Sequence, residues 1–235
     1  MVSIVIPAYN EASILEKNIL QLFAFCQKNI LAPWQIIISD NASDDGTSDI
    51  AGRLATLYPE IKHLRLAGRG KGLAVISAWQ KFPADIYIFM DADLSVDLSA
   101  LPPLVSAVQS GADIAAGSRF VSGSSVERSF VRRLISNFLR LILKILLGLK
   151  VQDAPCGFKA VNHRVVSQIV PRIKNRTWFF DTELIILAER ANLAIQEIPV
   201  VWQEIKNTNR RSKVGLLRAM IEYLKNIYRL YASRH

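Results

Sequence analysis

Short apolar runs alternate with longer stretches of helical period through the first half of this 235-residue chain. VSIVIPAY at 2–9, WQIIISD at 34–40, IKHLRLA at 61–67, ADIYIFM at 84–90 and ADIAAGSR at 112–119 read as strands. After the first of these comes EASILEKNILQLFAFCQK, whose Ile14, Leu15, Ile19, Leu22 and Phe23 recur on one helix face. TSDIAGRLATLY, GLAVISAWQKF and LSALPPLVSAVQSG supply three further helices. This alternation predicts an α/β fold with a mostly parallel sheet and helices on both faces. Ligands of such sheets bind beyond the carboxyl ends of the strands. Tyr9, Asp40, Asp91 and Arg119 fall at four of those ends.

The pattern changes near residue 124. Taken as one helix, residues 126–149 bring Arg128, Arg132, Ser136, Arg140 and Lys144 to successive i, i+4 positions, flanked by Arg133 and Asn137. The remaining surface is mainly Val, Leu, Ile and Phe. Such a helix suits an interfacial plane, its basic side chains turned to lipid phosphates; a core helix or a dimer seam is the plain alternative. VQDAPCGFKA then reads as a loop, followed by a helix and by RTWFFDTELIILAERA. AIQEIPVVWQEI reads as a late strand, edge or antiparallel because of Pro199. VGLLRAMIEYLKNIYRLYASRH is a second amphipathic basic helix. There is no internal repeat. We expect a single domain over 1–235, divided into a nucleotide-binding half (1–123), an amphipathic segment (124–150), an acceptor half (151–213) and a terminal amphipathic helix (214–235).

Composition narrows the choice. The formal net charge of +9 suggests an anionic partner. The basic residues gather on apolar helices, not in aromatic-interleaved patches, which argues against a nucleic-acid partner. Cys26 and Cys156 form no CxxC, which fits a reducing compartment and argues against structural zinc. His63, His163 and His235 are scattered. MVSIVIPAYNE lacks the basic start of a secretory leader, and FLRLILKILLGL is interrupted by Arg140 and Lys144, short of a spanning helix.

Three carboxylates stand within FMDADLSVD, directly after the apolar run IYI. Asp91 and Asp93 at a strand end can both reach one cleft. A hard divalent cation takes carboxylate oxygens and completes its shell from phosphates and water. The pair therefore reads as a metal–diphosphate site, or equally as a solvated turn. GRGKG at 68–72 is not a Walker loop, since Leu73 follows where Ser or Thr is needed. Its glycines permit close backbone approach to a ligand, and Lys71 can meet an anion; a tight turn with a solvated lysine is the alternative.

IVIPAYNEAS, SDNASDDGT, GRGKGLA and MDADLS occur in that order at successive strand ends. In combination they resemble the family 2 glycosyltransferases, over about the first 120 residues. VQDAPCGFKAVN, RTWFFDTELIILAE and NRRSKVG resemble segments of the dolichyl- and polyprenyl-phosphate hexose synthases, leaning to the glucose branch. The resemblance implies a nucleotide-binding, Rossmann-like sheet of the glycosyltransferase A type. It implies that Pro7, Tyr9 and Glu11 line the nucleotide pocket, that Asp40 meets the base, and that Lys71, Arg211 and Lys213 meet the diphosphate. Asp91 would lie near ribose and sugar, Asp93 would bind Mg2+ or Mn2+ with Asp91 beside it, and Arg119 would sit near the sugar or diphosphate. Asp153, Asp181 and Glu183 would orient sugar hydroxyls. Each has a plain reading too: Asp40 as a turn residue, Tyr9 as core, Arg119 in a surface ion pair, Asp181 as a helix cap. Two departures stand out: Ser95 replaces the Gln of the mannose enzymes, and SDNAS replaces the usual DDGS. The expected activity is inverting transfer of a hexose, glucose from UDP-glucose, to a polyprenyl phosphate at the cytoplasmic face of a membrane, with the protein bound peripherally. Transfer from GDP-mannose, or to a soluble acceptor in the cytosol, are the alternatives, with a basic nucleic-acid-binding protein as the non-enzymatic one.

Overall fold

Val2–Ala8 (β1) alternates its side chains between two apolar layers, as a strand of period two must when both faces are covered. Ile4 and Ile6 join one core cluster and Val5 the other. β1 pairs in parallel with Trp34–Asn41 (β2) and with Ile86–Met90 (β4), and Ile61–Leu66 (β3) continues beyond β2. Ala12–Asn29 (α1), Thr47–Leu57 (α2) and Leu101–Gln109 (α4) contribute to one layer, and Lys71–Lys81 (α3) to the other. The chain is seen here as a computed structural model that describes residues 1–127, 130–203 and 216–232. Arg211 and Lys213 lie outside the described residues.

The sheet has seven strands in the order β3-β2-β1-β4-β7-β5-β8, where β5 is Ile114–Ser118, β7 is Phe158–Asn162 and β8 is Ile195–Pro199. It is mostly parallel with helices on both faces, as the alternation predicts. One strand departs: β7, read from sequence as the tail of a loop, is inserted antiparallel between β4 and β5. β8 is the expected edge strand, parallel to β5, with Pro199 at its last position. Ser125–Glu127 (β6) is a strand and not the start of the long helix; it pairs with Val201–Gln203 (β9) in a separate two-stranded sheet. The remaining helices are Phe130–Leu147 (α5), His163–Gln168 (α6), Phe180–Arg190 (α7) and Leu216–Ala232 (α8).

α5 and α8 pack against each other at the surface. Leu143 and Leu147 of α5, with Ile227 and Leu230 of α8, are buried in the core shared with α7. On other faces, Leu134, Phe138, Leu141 and Ile145 of α5 are exposed, as are Ile221, Leu224, Tyr228 and Tyr231 of α8. These spacings place one exposed apolar stripe along each helix. Among the described residues no helix is long and apolar enough to cross a membrane.

Candidate active site

The carboxyl ends of β1, β2 and β4 each turn sharply. Asn10, Ala42 and Leu94, just past those ends, take left-handed φ of 54°, 61° and 51°. Such angles are uncommon outside glycine and concentrate where a site needs a fixed backbone. They steer the chain away from the sheet and leave Asp40, Asp91 and Asp93 at its rim.

At the end of β2, Asp40 is fully buried. Its Oδ1 accepts the Ser43 N–H at 3.1 Å, so the turn reading holds for one oxygen. Its Oδ2 has no hydrogen-bond partner, with Arg65 Nε 4.0 Å away. A buried, orphaned carboxylate oxygen is costly and points to a missing donor. The other acids of the loop are structural. Asp44 bonds Asn10, while Asp45 accepts the N–H groups of Ala12 and Thr47, tying the β1 and β2 ends together. Tyr9 is half-buried, not core, beneath the Arg69 guanidinium at 4.7 Å from its ring centroid. Glu11 is buried at the head of α1, its N–H held by Thr47 Oγ1. Pro7 pairs with Ser39 beyond the last β1–β4 pair, Val5 with Phe89, so its missing N–H costs nothing on the β4 side.

Asp91 and Asp93 line a cleft of about 180 Å3 at the mouth of β4, with Ser95, Arg119, Gly157 and Trp202 among its walls. Asp93 Oδ1 accepts from both the N–H and the hydroxyl of Ser95, at 3.2 and 2.8 Å. Asp91 Oδ1 accepts from Lys71 Nζ at 2.6 Å. Among the described residues no three His, Cys, Asp or Glu side chains are grouped to hold a metal by themselves. Two carboxylates on one cleft wall suit a hard divalent cation that draws its other ligands from phosphate and water. The residues therefore fit Mg2+ or Mn2+ bound together with a diphosphate.

Lys71 is not the solvated turn lysine. It is buried, 5.4 Å from the ring centroids of both Phe89 and Trp178, and 4.0 Å from Asp181 Oδ2. Burial alone would lower its pKa, but Asp91 and Asp181 outweigh that and hold it above the ordinary value. The glycines before and after it admit protein main chain. A Cβ on Gly70 would stand 2.3 Å from Arg176 O, and one on Gly72 2.6 Å from Phe180 Cβ. The Gly72 and Leu73 N–H groups donate to Thr177 O and Arg176 O at 3.1 and 2.8 Å. The neighbour expected to be a ligand is the 176–180 segment.

Arg119 and Asp153 form one unit. Asp153 is fully buried and accepts from Arg119 N at 2.9 Å and from its Nε and Nη2, each at 2.7 Å. This two-pronged geometry is the strong form of an Arg–carboxylate pair. Burial opposes the Arg119 charge, yet Asp153 more than offsets it. Glu197 in turn accepts the N–H groups of Gln152 and Asp153. Arg119 thus lies inside the fold beside the cleft, with its charge satisfied, and is not a surface ion pair. A second cleft of about 220 Å3 adjoins it, lined by Phe120, Ser136, Arg140 and Gln152 among others. Arg140 sits 4.7 Å from the Phe120 ring centroid and 3.4 Å from Gln152 Oε1. At Ser136 and Arg140 the polar stripe of α5 borders this cleft, contrary to the outward direction expected of it; Lys144 is exposed.

Asp181 and Glu183 part company on α7. Asp181 faces Lys71 and is buried, which raises its pKa against the pull of Lys159 and Lys71. Glu183 accepts from Asn175 N at 2.8 Å and Arg229 Nη2 at 3.0 Å, fastening α8 to α7. Residues i and i+2 of a helix point apart, so the D-x-E spacing itself carried this signal. Lys159, Trp178 and Trp202 are neighbours of the site to which sequence reading assigned no role.

Residues 3–170 match the family described as Glycosyl transferase family 2. The chain is 31% identical over 233 residues to glycosyltransferase AglD of Haloferax volcanii, covering 98% of this chain and 37% of that protein. It is 27% identical over 254 residues to the dolichyl-phosphate beta-glucosyltransferase of Saccharomyces cerevisiae, covering 97% and 76%. It is 30% identical over 233 residues to the dolichol-phosphate mannosyltransferase of Pyrococcus furiosus, covering 97% and 63%. Among solved structures, glucosyl-3-phosphoglycerate synthase of Mycobacterium tuberculosis, in complex with Mn2+, UDP-glucose and phosphoglyceric acid, superposes with a TM-score of 0.72 at 18% identity, over 99% of this chain and 80% of that one. The likeness is one of fold, that of the glycosyltransferase A type.

Proposed function

The chain belongs to glycosyl transferase family 2, and from that premise we propose that it moves glucose from UDP-glucose to a polyprenyl phosphate at a membrane surface. The observation that carries this reading is the pairing of an orphaned buried Asp40 oxygen with the Asp91–Asp93 cleft along the same sheet rim. A nucleoside diphosphate sugar spans such a rim, base at one end and diphosphate at the other.

Asp40 supports a base as the ligand at this end of the rim. Its Oδ1 accepts the Ser43 N–H, and its Oδ2 stands open to a further donor. Uracil offers a single ring N–H that the open oxygen can accept. Asp91 and Asp93 would hold Mg2+ or Mn2+, which when bound would neutralise charge building on the departing diphosphate. The second cleft supports a phosphate acceptor beside the donor: Arg140 supplies charge, Ser136 a hydroxyl, and Arg119 adjoins both clefts. The phosphate oxygen forms a bond to the anomeric carbon as that carbon's bond to the diphosphate oxygen breaks. One in-line displacement inverts the centre and releases UDP. With its second pKa about 6, the phosphate monoester is already largely dianionic at neutral pH and needs no base to activate it. In keeping with that, His63 is on β3 and His163 lies beside Tyr87, away from the Asp91 cleft. The remaining task is positioning and charge handling.

The exposed apolar stripes of α5 and α8, with the net charge of +9, support docking on an anionic membrane by helices lying in its surface. Purified protein given radiolabelled UDP-glucose, Mn2+ and a polyprenyl phosphate should yield an organic-extractable product, and Asp93→Ala should abolish it. Counts unaffected by chelator and by that substitution would contradict the reading. Transfer from GDP-mannose in place of UDP-glucose would redirect it to the mannosyl alternative.

A further inference from the structure

Lys159 has no exposed surface. It is the second residue of β7, opposite Phe89 of β4 on one side and Ala116 of β5 on the other. Its ammonium donates to the Cys156 carbonyl and lies 5.6 Å from the Phe89 ring centroid, the ring that Lys71 also approaches. An isolated ammonium in such a place is costly unless opposite charge meets it. Burial lowers its pKa overall, and Asp181 is the foremost charge pulling the other way.

From the interior outward the groups run Lys159, Asp181, Lys71, Asp91. The signs alternate and sum to zero. Side-chain exposure is 39% at Asp91, 7% at Lys71 and 4% at Asp181, so three of the four are sealed from water. Lys159 also acts along a second route. Cys156, whose carbonyl it holds, donates its N–H to Asp153 O, and the next residue, Gly157, presses on the cleft acid. A Cβ on Gly157 would stand 2.2 Å from Asp91 Oδ2. Asp91 is thus gripped at Oδ1 by Lys71 and backed at Oδ2 by main chain that Lys159 anchors.

We propose that Lys159 is a positioning residue for the donor site, fixing the Asp91 carboxylate through Asp181 and Lys71 and through the Cys156–Gly157 main chain. This rests on the reading of Asp91 as the group that faces donor and metal. Removing one charge from the row leaves its neighbour buried and uncompensated. Removing Lys159 and Asp181 together takes out one opposite pair and restores the balance.

The test uses the full chain, with Lys159→Met, Asp181→Asn and the double variant. Thermal melting reports folding. Calorimetry reports UDP affinity without metal and the Mn2+ needed to half-saturate the UDP-bound protein. Lys159→Met should raise the Mn2+ requirement roughly tenfold or more, the scale seen when a ligand's outer support is removed. UDP affinity without metal should stay within about threefold, because Asp40 lies outside the row. The double variant should melt nearer the parent than Lys159→Met does, with a Mn2+ requirement like that of Asp181→Asn alone. A parent-like Mn2+ requirement in Lys159→Met, or independent multiplication of the two effects in the double variant, overturns the proposal. If Lys159→Met does not fold, the double variant decides, and a parent-like Mn2+ requirement there overturns it. A parent protein that binds neither UDP nor Mn2+ overturns the glycosyl-transfer reading itself, and this inference with it.

Discussion

Asp153→Asn removes a charge while keeping the shape of the side chain, and it leaves the Arg119 guanidinium 10% exposed without its paired carboxylate. Two charge-assisted bonds at 2.7 Å are weakened at once. Breaking a buried pair from one side costs about 3–5 kcal/mol, mostly as the desolvation of the charge left behind. Against a total stability of about 5–15 kcal/mol this is a large share. For a chain of this size each kcal/mol moves the melting midpoint by about 2–4 °C, so a fall of roughly 6–20 °C is expected. Urea unfolding followed by tryptophan fluorescence gives the free energy directly. The double variant Arg119→Leu/Asp153→Leu separates charge from packing: it should recover to within about 2 kcal/mol of the parent, since apolar replacements of buried pairs are often neutral, and remain inactive. A loss below about 1 kcal/mol for Asp153→Asn, the range of an exposed pair, would refute the reasoning.

Gly72→Ala should lower stability by about 1–3 kcal/mol, because the new Cβ meets Phe180 at 2.6 Å and overpacked sites yield only at that cost; an unchanged melting midpoint would contradict it. Asp40→Asn should weaken UDP binding by about 1.5–3 kcal/mol, the scale of a hydrogen bond to a charged group, as measured by calorimetry. Burial pushes the thiols of Cys26 up to about 12 and Cys156 up to about 11, from 9.0. The folded chain therefore keeps protons that the unfolded chain releases, and this stabilisation is whole below pH 9 and lost as pH rises through 11 to 12. Urea midpoints at pH 8 and 11 should fall more in the parent than in Cys26→Ala/Cys156→Ala.

The parallel half of the sheet was legible because β1, β2 and β4 are short apolar runs, two of them ending in the carboxylates Asp40 and Asp91, and the fold places those ends together. β7 was not. FKAVN carries a lysine at its second position, and that buried lysine is met by the Cys156 carbonyl and pulled on by the charge of Asp181, partners that no local pattern reveals. Arg119 and Asp153 were each singled out, but their union spans 34 residues and follows from β5 ending beside the loop that precedes β7. The glycines of GRGKG signalled close approach without naming what approaches; the 176–180 segment arrives from more than 100 residues away. On α5 the helical period was plain from sequence, but which stripe faces the protein depended on where Phe120 and Gln152 lie.

The central claim is that Asp91 and Asp93 hold a divalent cation on the diphosphate of a donor whose base reaches Asp40. A crystal of the protein grown with UDP and Mn2+, with data collected at the manganese absorption edge, tests it directly. One anomalous peak is expected within coordination distance of an Asp93 oxygen and the diphosphate, with the uracil N3–H on Asp40 Oδ2. Manganese and UDP bound elsewhere, with both carboxylates free of metal, would contradict it.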